Sequence, residues 1–70
     1  MRIKDVVAGL KPGERIRLTV DGWNDESGKP KWTPALTDAQ QIAYQDSIVS
    51  HTHTEGNTVY CIVVDGRLEG

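Results

Sequence analysis

The run Thr58-Val59-Tyr60-Cys61-Ile62-Val63-Val64 constrains the fold more than any other stretch of the chain. Five of its seven residues are β-branched, which stiffens the side chains and suits a pleated, packed surface. Apolar residues fall on both alternating faces, the pattern of a strand buried between layers. The run therefore predicts a central strand over 58–64, with Tyr60, Ile62 and Val64 turned to the core. The remaining residues must supply its neighbours and its cover.

Two helices are predicted. Ile3, Val6, Val7 and Leu10 recur at i, i+3, i+4 and i+7, one apolar stripe of a short helix over 2–10. Lys11-Pro12-Gly13 stops it. Such a short helix is marginal alone, so its stripe must pack on a sheet. Thr37-Asp38-Ala39-Gln40 has the spacing of a capping box, with acidic Asp38 in the first turn. It predicts a second helix over 38–49, with Ile42, Ile48 and Val49 on its apolar side.

Between the helices the period changes. Ile16, Leu18 and Val20 alternate with Arg15, Arg17 and Thr19, which predicts a half-buried strand over 14–20. The segment from Trp23 to Trp32 is polar and rich in turn residues. It predicts a hairpin with its tip at 26–28, returning as an edge strand over 29–33. Pro30 is tolerated only on such an edge. Trp23 and Trp32 are then expected to approach each other across the strands. Residues 51–54 are a short extra strand or an extended loop, Glu55-Gly56-Asn57 is a turn, and Asp65-Gly66 is another, after which 67–70 pair briefly or fray.

The expected fold is a single small α+β domain over 1–70 in the order α-β-β-α-β. A three- or four-stranded, mostly antiparallel sheet packs with two helices on one or both faces. The expected core is Ile3, Val6, Val7, Leu10, Ile16, Leu18, Val20, Ile42, Ile48, Val49, Tyr60, Ile62 and Val64.

Size and charge narrow the function. A core this small supplies about 3–5 kcal/mol of net stability. The one cysteine, Cys61, permits no internal disulfide and lies in an apolar run, so it reads as a buried thiol of a reducing compartment. No stretch approaches the roughly 20 apolar residues of a membrane span. The opening Met1-Arg2-Ile3-Lys4-Asp5 is charged, and the apolar stretch after it is too short for a signal-peptide core. The expectation is a cytoplasmic protein, with no membrane partner. The net charge of −2 argues against a dedicated nucleic-acid binder. Residues 1–35 carry seven Lys/Arg against five Asp/Glu (+2), and residues 36–70 carry one against five (−4), so a basic and an acidic face are compatible with the sequence.

Two residue sets invite chemistry. His51 and His53 share a strand face, and a hairpin around 55–57 brings Cys61 near His51 if the register is right. Two imidazoles and a thiolate suit zinc, or a Cys-His nucleophilic pair. There is no paired-cysteine or HxxxH spacing, and a one-residue slip would separate the set. Surface histidines beside a buried thiol are the simpler reading, so no metal or other cofactor is expected. No GxSxG, HExxH or Walker A string occurs, and no enzyme is expected.

The second set is Trp23 and Trp32 with Lys29, Lys31, Arg15 and Arg17. Trp and Arg dominate protein interface hot spots, and aromatics among cations also stack on nucleic-acid bases. A Phe-free domain this small also needs a tryptophan for its core, so one of the two is expected to be structural.

The leading expectation is a non-catalytic protein–protein interaction module. It would be an inhibitor or accessory factor of the kind encoded by phages and other mobile elements, recognising its partner with the 23–33 hairpin or the acidic helix face. The runner-up is a nucleic-acid-binding domain using the 14–33 hairpin. A third reading is a structural or virion subunit that forms homo-oligomers by adding strands edge to edge.

Overall fold

The computed structural model describes residues 1–64. Its elements are α1 (Ile3–Ala8), β1 (Arg15–Val20), α2 (Asp38–Ala43), β2 (Val49–Glu55) and β3 (Thr58–Val63). The class is α+β, but the order is α-β-α-β-β. The expected turn at 65–66 and the pairing of 67–70 lie outside the described residues.

The sheet has the order β1-β3-β2. The apolar run is therefore the middle strand, as its composition requires. The sheet is mixed, which corrects the expectation of mostly antiparallel pairing. β3 pairs parallel with β1, Arg17 beside Tyr60 and Leu18 beside Cys61. It pairs antiparallel with β2, His53 beside Tyr60 and Thr52 beside Cys61. The long connection that carries α2 allows the parallel pairing, because parallel strands need a crossover of a dozen residues or more.

β2 and β3 form a hairpin closed by the Glu55–Thr58 pair, leaving Gly56-Asn57 as the turn. Gly56 has φ 58°, and no non-glycine residue among those described has positive φ. That is the II′ arrangement, with glycine at the first central position.

α1 is shorter than the expected 2–10, spanning Ile3–Ala8, and two further regions depart more from expectation. The helix at 38 ends at Ala43, because Asp46 and Ser47 occupy the positions that would continue the Ile42/Ala43 stripe. Tyr44 and the residues after it turn back, with the Ser47 N–H donating to the Tyr44 carbonyl at 3.0 Å. Val49 then opens β2. The capping box itself is present: the Gln40 N–H donates to Thr37 Oγ1 at 3.2 Å, and the Thr37 N–H to Gln40 Oε1 at 2.9 Å.

The segment 29–33 is not a strand of the sheet. A single antiparallel bridge joins Asn24 to Pro30. The chain then runs extended along the outer edge of β1, where the Thr33 N–H donates to the Leu18 carbonyl (2.8 Å) and the Leu36 N–H to the Ile16 carbonyl (2.9 Å).

The core lies on one face of the sheet. Ile3, Ile16, Leu18, Leu36, Val49, Val59, Cys61 and Val63 form the buried cluster, with Val6, Val7, Leu10, Val20 and Tyr44 packed against it. α1 inserts Ile3 into this cluster, and backbone bonds from Ile3 and Lys4 to the 45–47 turn fix its position. Three expected core residues are instead exposed: Ile42 (66%), Val64 (51%) and Ile48 (40%). Tyr60 and Ile62 are half-buried on the opposite face. β3 presents Val59, Cys61 and Val63 to the core, and among the described residues the helices cover one face only.

Candidate functional site

The helix-free face gathers side chains from four parts of the chain. β1 contributes Arg15 and Arg17, β3 contributes Tyr60 and Ile62, and β2 contributes His51, His53 and Glu55. Trp32 arrives from the segment that follows the 23–31 loop and lies against Tyr60.

Tyr60 is the centre of this face. The Trp32 ring meets it edge to face, with centroids 5.0 Å apart and planes at 81°. The Arg17 guanidinium carbon lies 5.6 Å from its centroid. The His53 ring lies 6.4 Å away, tilted by 33°. Arg17 is held at its other end by the Thr33 carbonyl, to which its Nε–H donates at 2.8 Å. Because the same 33–36 segment pairs with β1, the backbone that places Trp32 also anchors Arg17. The cluster is thus ordered before any ligand arrives.

Beside it runs a groove of about 400 Å³ lined by Arg17, Trp32, His51, Thr52, His53, Glu55, Tyr60 and Ile62. Ile62 and the Tyr60 ring give it apolar surface. Arg17 and the two imidazoles offer donors, and Glu55 is the carboxylate at its end. A smaller groove of about 240 Å³ separates the helices, lined by Lys4, Val7, Asp38, Gln41, Ile42 and Gln45.

The other expected site residues are placed as follows. Trp23 is half-buried and does not stack on Trp32; its ring lies under the Lys31 ammonium, 5.5 Å from the centroid. Lys29 is exposed on the 23–31 loop, where its N–H donates to Asp25 Oδ1 at 3.0 Å. The same oxygen accepts from the Ser27 hydroxyl (2.7 Å) and the Ser27 N–H (2.9 Å). The Ser27 hydroxyl, then the Lys29 N–H, hold the Asp25 carboxyl below its ordinary value.

His51, His53 and Cys61 do not converge. The two-residue turn pairs His51 with Ile62 and Thr52 with Cys61, so the imidazoles and the thiol point to opposite faces of the sheet. Among the described residues no group of three or more His, Cys, Asp or Glu is placed to hold a metal ion. Cys61 is fully buried, and burial pushes its thiol up to about 11. A thiol in that state is a poor nucleophile.

Tyr60 and Ile62 are the site residues the sequence reading assigned to the core. The signal that could have found them is the turn. Counting Gly56-Asn57 as a two-residue II′ turn fixes the 53–60 and 51–62 pairs and aligns both with the histidines.

Comparison with known proteins gives no match, whether to a family model, a curated protein or a solved structure. Among the described residues no helix is long and apolar enough to cross a membrane.

Proposed function

We propose that this protein is a non-catalytic protein–protein interaction module that engages its partner with the helix-free face of its sheet. The observation that carries the reading is the Trp32–Tyr60–Arg17 cluster beside an open groove. Tryptophan, tyrosine and arginine are the residues that dominate binding energy at protein interfaces, above all when they are held rigid before contact. The groove chemistry fits a polypeptide presenting an apolar or aromatic side chain to Ile62 and Tyr60. A carboxylate beside that side chain would face Arg17, His51 and His53. Affinity enrichment tests this. A stoichiometric partner should be recovered by the wild type and by a helix-side variant, Gln41→Glu, and lost with Trp32→Ala. A partner retained by Trp32→Ala, or the recovery of none, counts against the reading.

A second reading is supported by the cations around the rings. Arg17 lies beside Tyr60, Arg15 stands beside Thr58 on the same strand face, and Lys29 and Lys31 lie on the loop leading to Trp32. Half-buried rings that show a face among cations are a platform on which single-stranded nucleic acid can stack. This reading requires that labelled oligonucleotides bind at low salt and lose affinity steeply as salt rises. Unshifted anisotropy at low ionic strength removes it.

A further inference from the structure

The two sides of the sheet end differently. The outer edge of β1 is closed by the backbone bonds from Thr33 and Leu36. On the β2 side, the Met1 carbonyl takes the Val49 N–H at 2.8 Å, and a bridge joins Arg2 to Ile48. The register then shifts between Val49 and His51. Beyond that shift, among the described residues, no other segment bonds to the outer backbone of 51–55. Folded proteins protect such edges with lysine, proline or a bulge within the strand. His51-Thr52-His53-Thr54-Glu55 has no lysine or proline, and both its threonines are β-branched.

This regular edge is self-complementary. It is bounded by the register shift at one end and the Gly56 turn at the other, so its midpoint is His53. In a two-residue hairpin the closing pair, Glu55–Thr58, exchanges both backbone bonds, and the pattern alternates from there. His53 and His51 therefore direct their backbone groups to β3, and Thr54 and Thr52 direct theirs outward. An antiparallel copy centred on His53 sets Thr52 against the second copy's Thr54, twice over, completing the outward bonds. The same register sets His51 against the second copy's Glu55 at both ends, a pairing of an imidazole donor with a carboxylate. It leaves His53 facing its own equivalent across the two-fold axis.

We propose that a second copy of this chain pairs antiparallel with the outer edge of β2, centred on His53, joining two three-stranded sheets into one of six. His51, His53 and Glu55 already line the groove, so the two grooves meet at the axis as one longer surface. Isologous pairing of this kind closes on itself and stops at the dimer. An edge of five residues makes a small interface, so the association is weak and concentration-dependent, read between roughly 10 µM and 1 mM.

Sedimentation equilibrium over that range tests the pairing. The wild type should shift from monomer to dimer. His51→Glu opposes two carboxylates at each end and should weaken association at least tenfold, and His51→Glu/Glu55→Lys should restore it. Thr54→Pro removes an outward N–H that β3 does not use and should abolish dimerisation, with the far-ultraviolet spectrum kept as the check on folding. His53→Cys should form an intermolecular disulfide when oxidised glutathione is supplied, whereas Ser27→Cys should not. A wild type that stays monomeric at 1 mM overturns the proposal. So does a dimer indifferent to His51→Glu and Thr54→Pro, because its interface lies elsewhere.

Discussion

Trp32 and Tyr60 stand edge to face, 5.0 Å between centroids, although they come from a loop and from the central strand. The contact lays Trp32 on the helix-free face beside the edge-bound 33–36 segment and makes Tyr60 part of a fixed platform. An edge-to-face pair contributes about 0.5–1.5 kcal/mol beyond the area it buries. Trp32→Ala should therefore destabilise the fold by about 1–3 kcal/mol in urea titration and eliminate partner binding. Trp32→Phe should recover most of the stability, since a ring edge still reaches Tyr60. Trp23 fluorescence remains as the folding probe in both variants.

Cys61 predicts an alkaline loss of stability. Burial raises its thiol from 9.0 to about 11, so the folded state holds the proton that the unfolded chain releases first. The contribution is complete below pH 9 and fades as pH rises toward 11, a change of about 2–3 kcal/mol. Urea unfolding of wild type and Cys61→Ala at pH 8 and pH 10.5 should give a difference that narrows at the higher pH. Under native conditions at pH 8 the thiol should react with a disulfide reagent only as fast as the protein opens.

Much of the fold was legible because local signals were strong. The stripe Ile3/Val6/Val7 gave α1, the Thr37–Gln40 box gave the start of α2, and the 58–64 run gave the central strand. What was not legible follows from ambiguity within those same residues. β3 is apolar on both faces, so period-two alternation cannot say whether Val59 or Tyr60 points inward. That choice is made by the Gly56-Asn57 turn and by α1 docking on one face. The histidine–cysteine cluster was lost for the same reason. A three-residue turn puts Cys61 opposite His51, whereas the two-residue turn puts Ile62 there and sends the thiol to the other face. Pairing of β1 with β3 is a tertiary fact, since 37 residues separate Val20 from Thr58 and no local pattern reports it.

Asp25 predicts a local acid transition. Its carboxylate accepts from Ser27 twice and from Lys29, and these bonds lower it from an ordinary value of 3.8. The ordering it contributes is present above pH 3.8 and is lost as pH falls through the lower folded value. The Ser27 and Lys29 amide resonances should titrate together there, before the core amides respond. Asp25→Asn should remove that titration and loosen the 23–31 loop at neutral pH, with little change in the melting of the sheet.

Arg17 separates the two functional readings. Its guanidinium lies over Tyr60 while its Nε–H donates to the Thr33 carbonyl, and both need the planar fork of arginine. Lysine keeps the charge but has no donor at the Nε position and no flat group to lay on the ring. A protein partner that reads the fixed platform should bind the Arg17→Lys variant nearly as poorly as Arg17→Ala, with both variants losing about 1–2 kcal/mol of fold stability. A nucleic-acid strand held by charge should tolerate Arg17→Lys and lose affinity with Arg17→Ala, and the magnitude of its salt slope should fall by about 0.7 for the one phosphate contact removed. Calorimetric titration of the enriched partner and anisotropy of a labelled single strand, each against the two variants, distinguish a rigid interface from an electrostatic one.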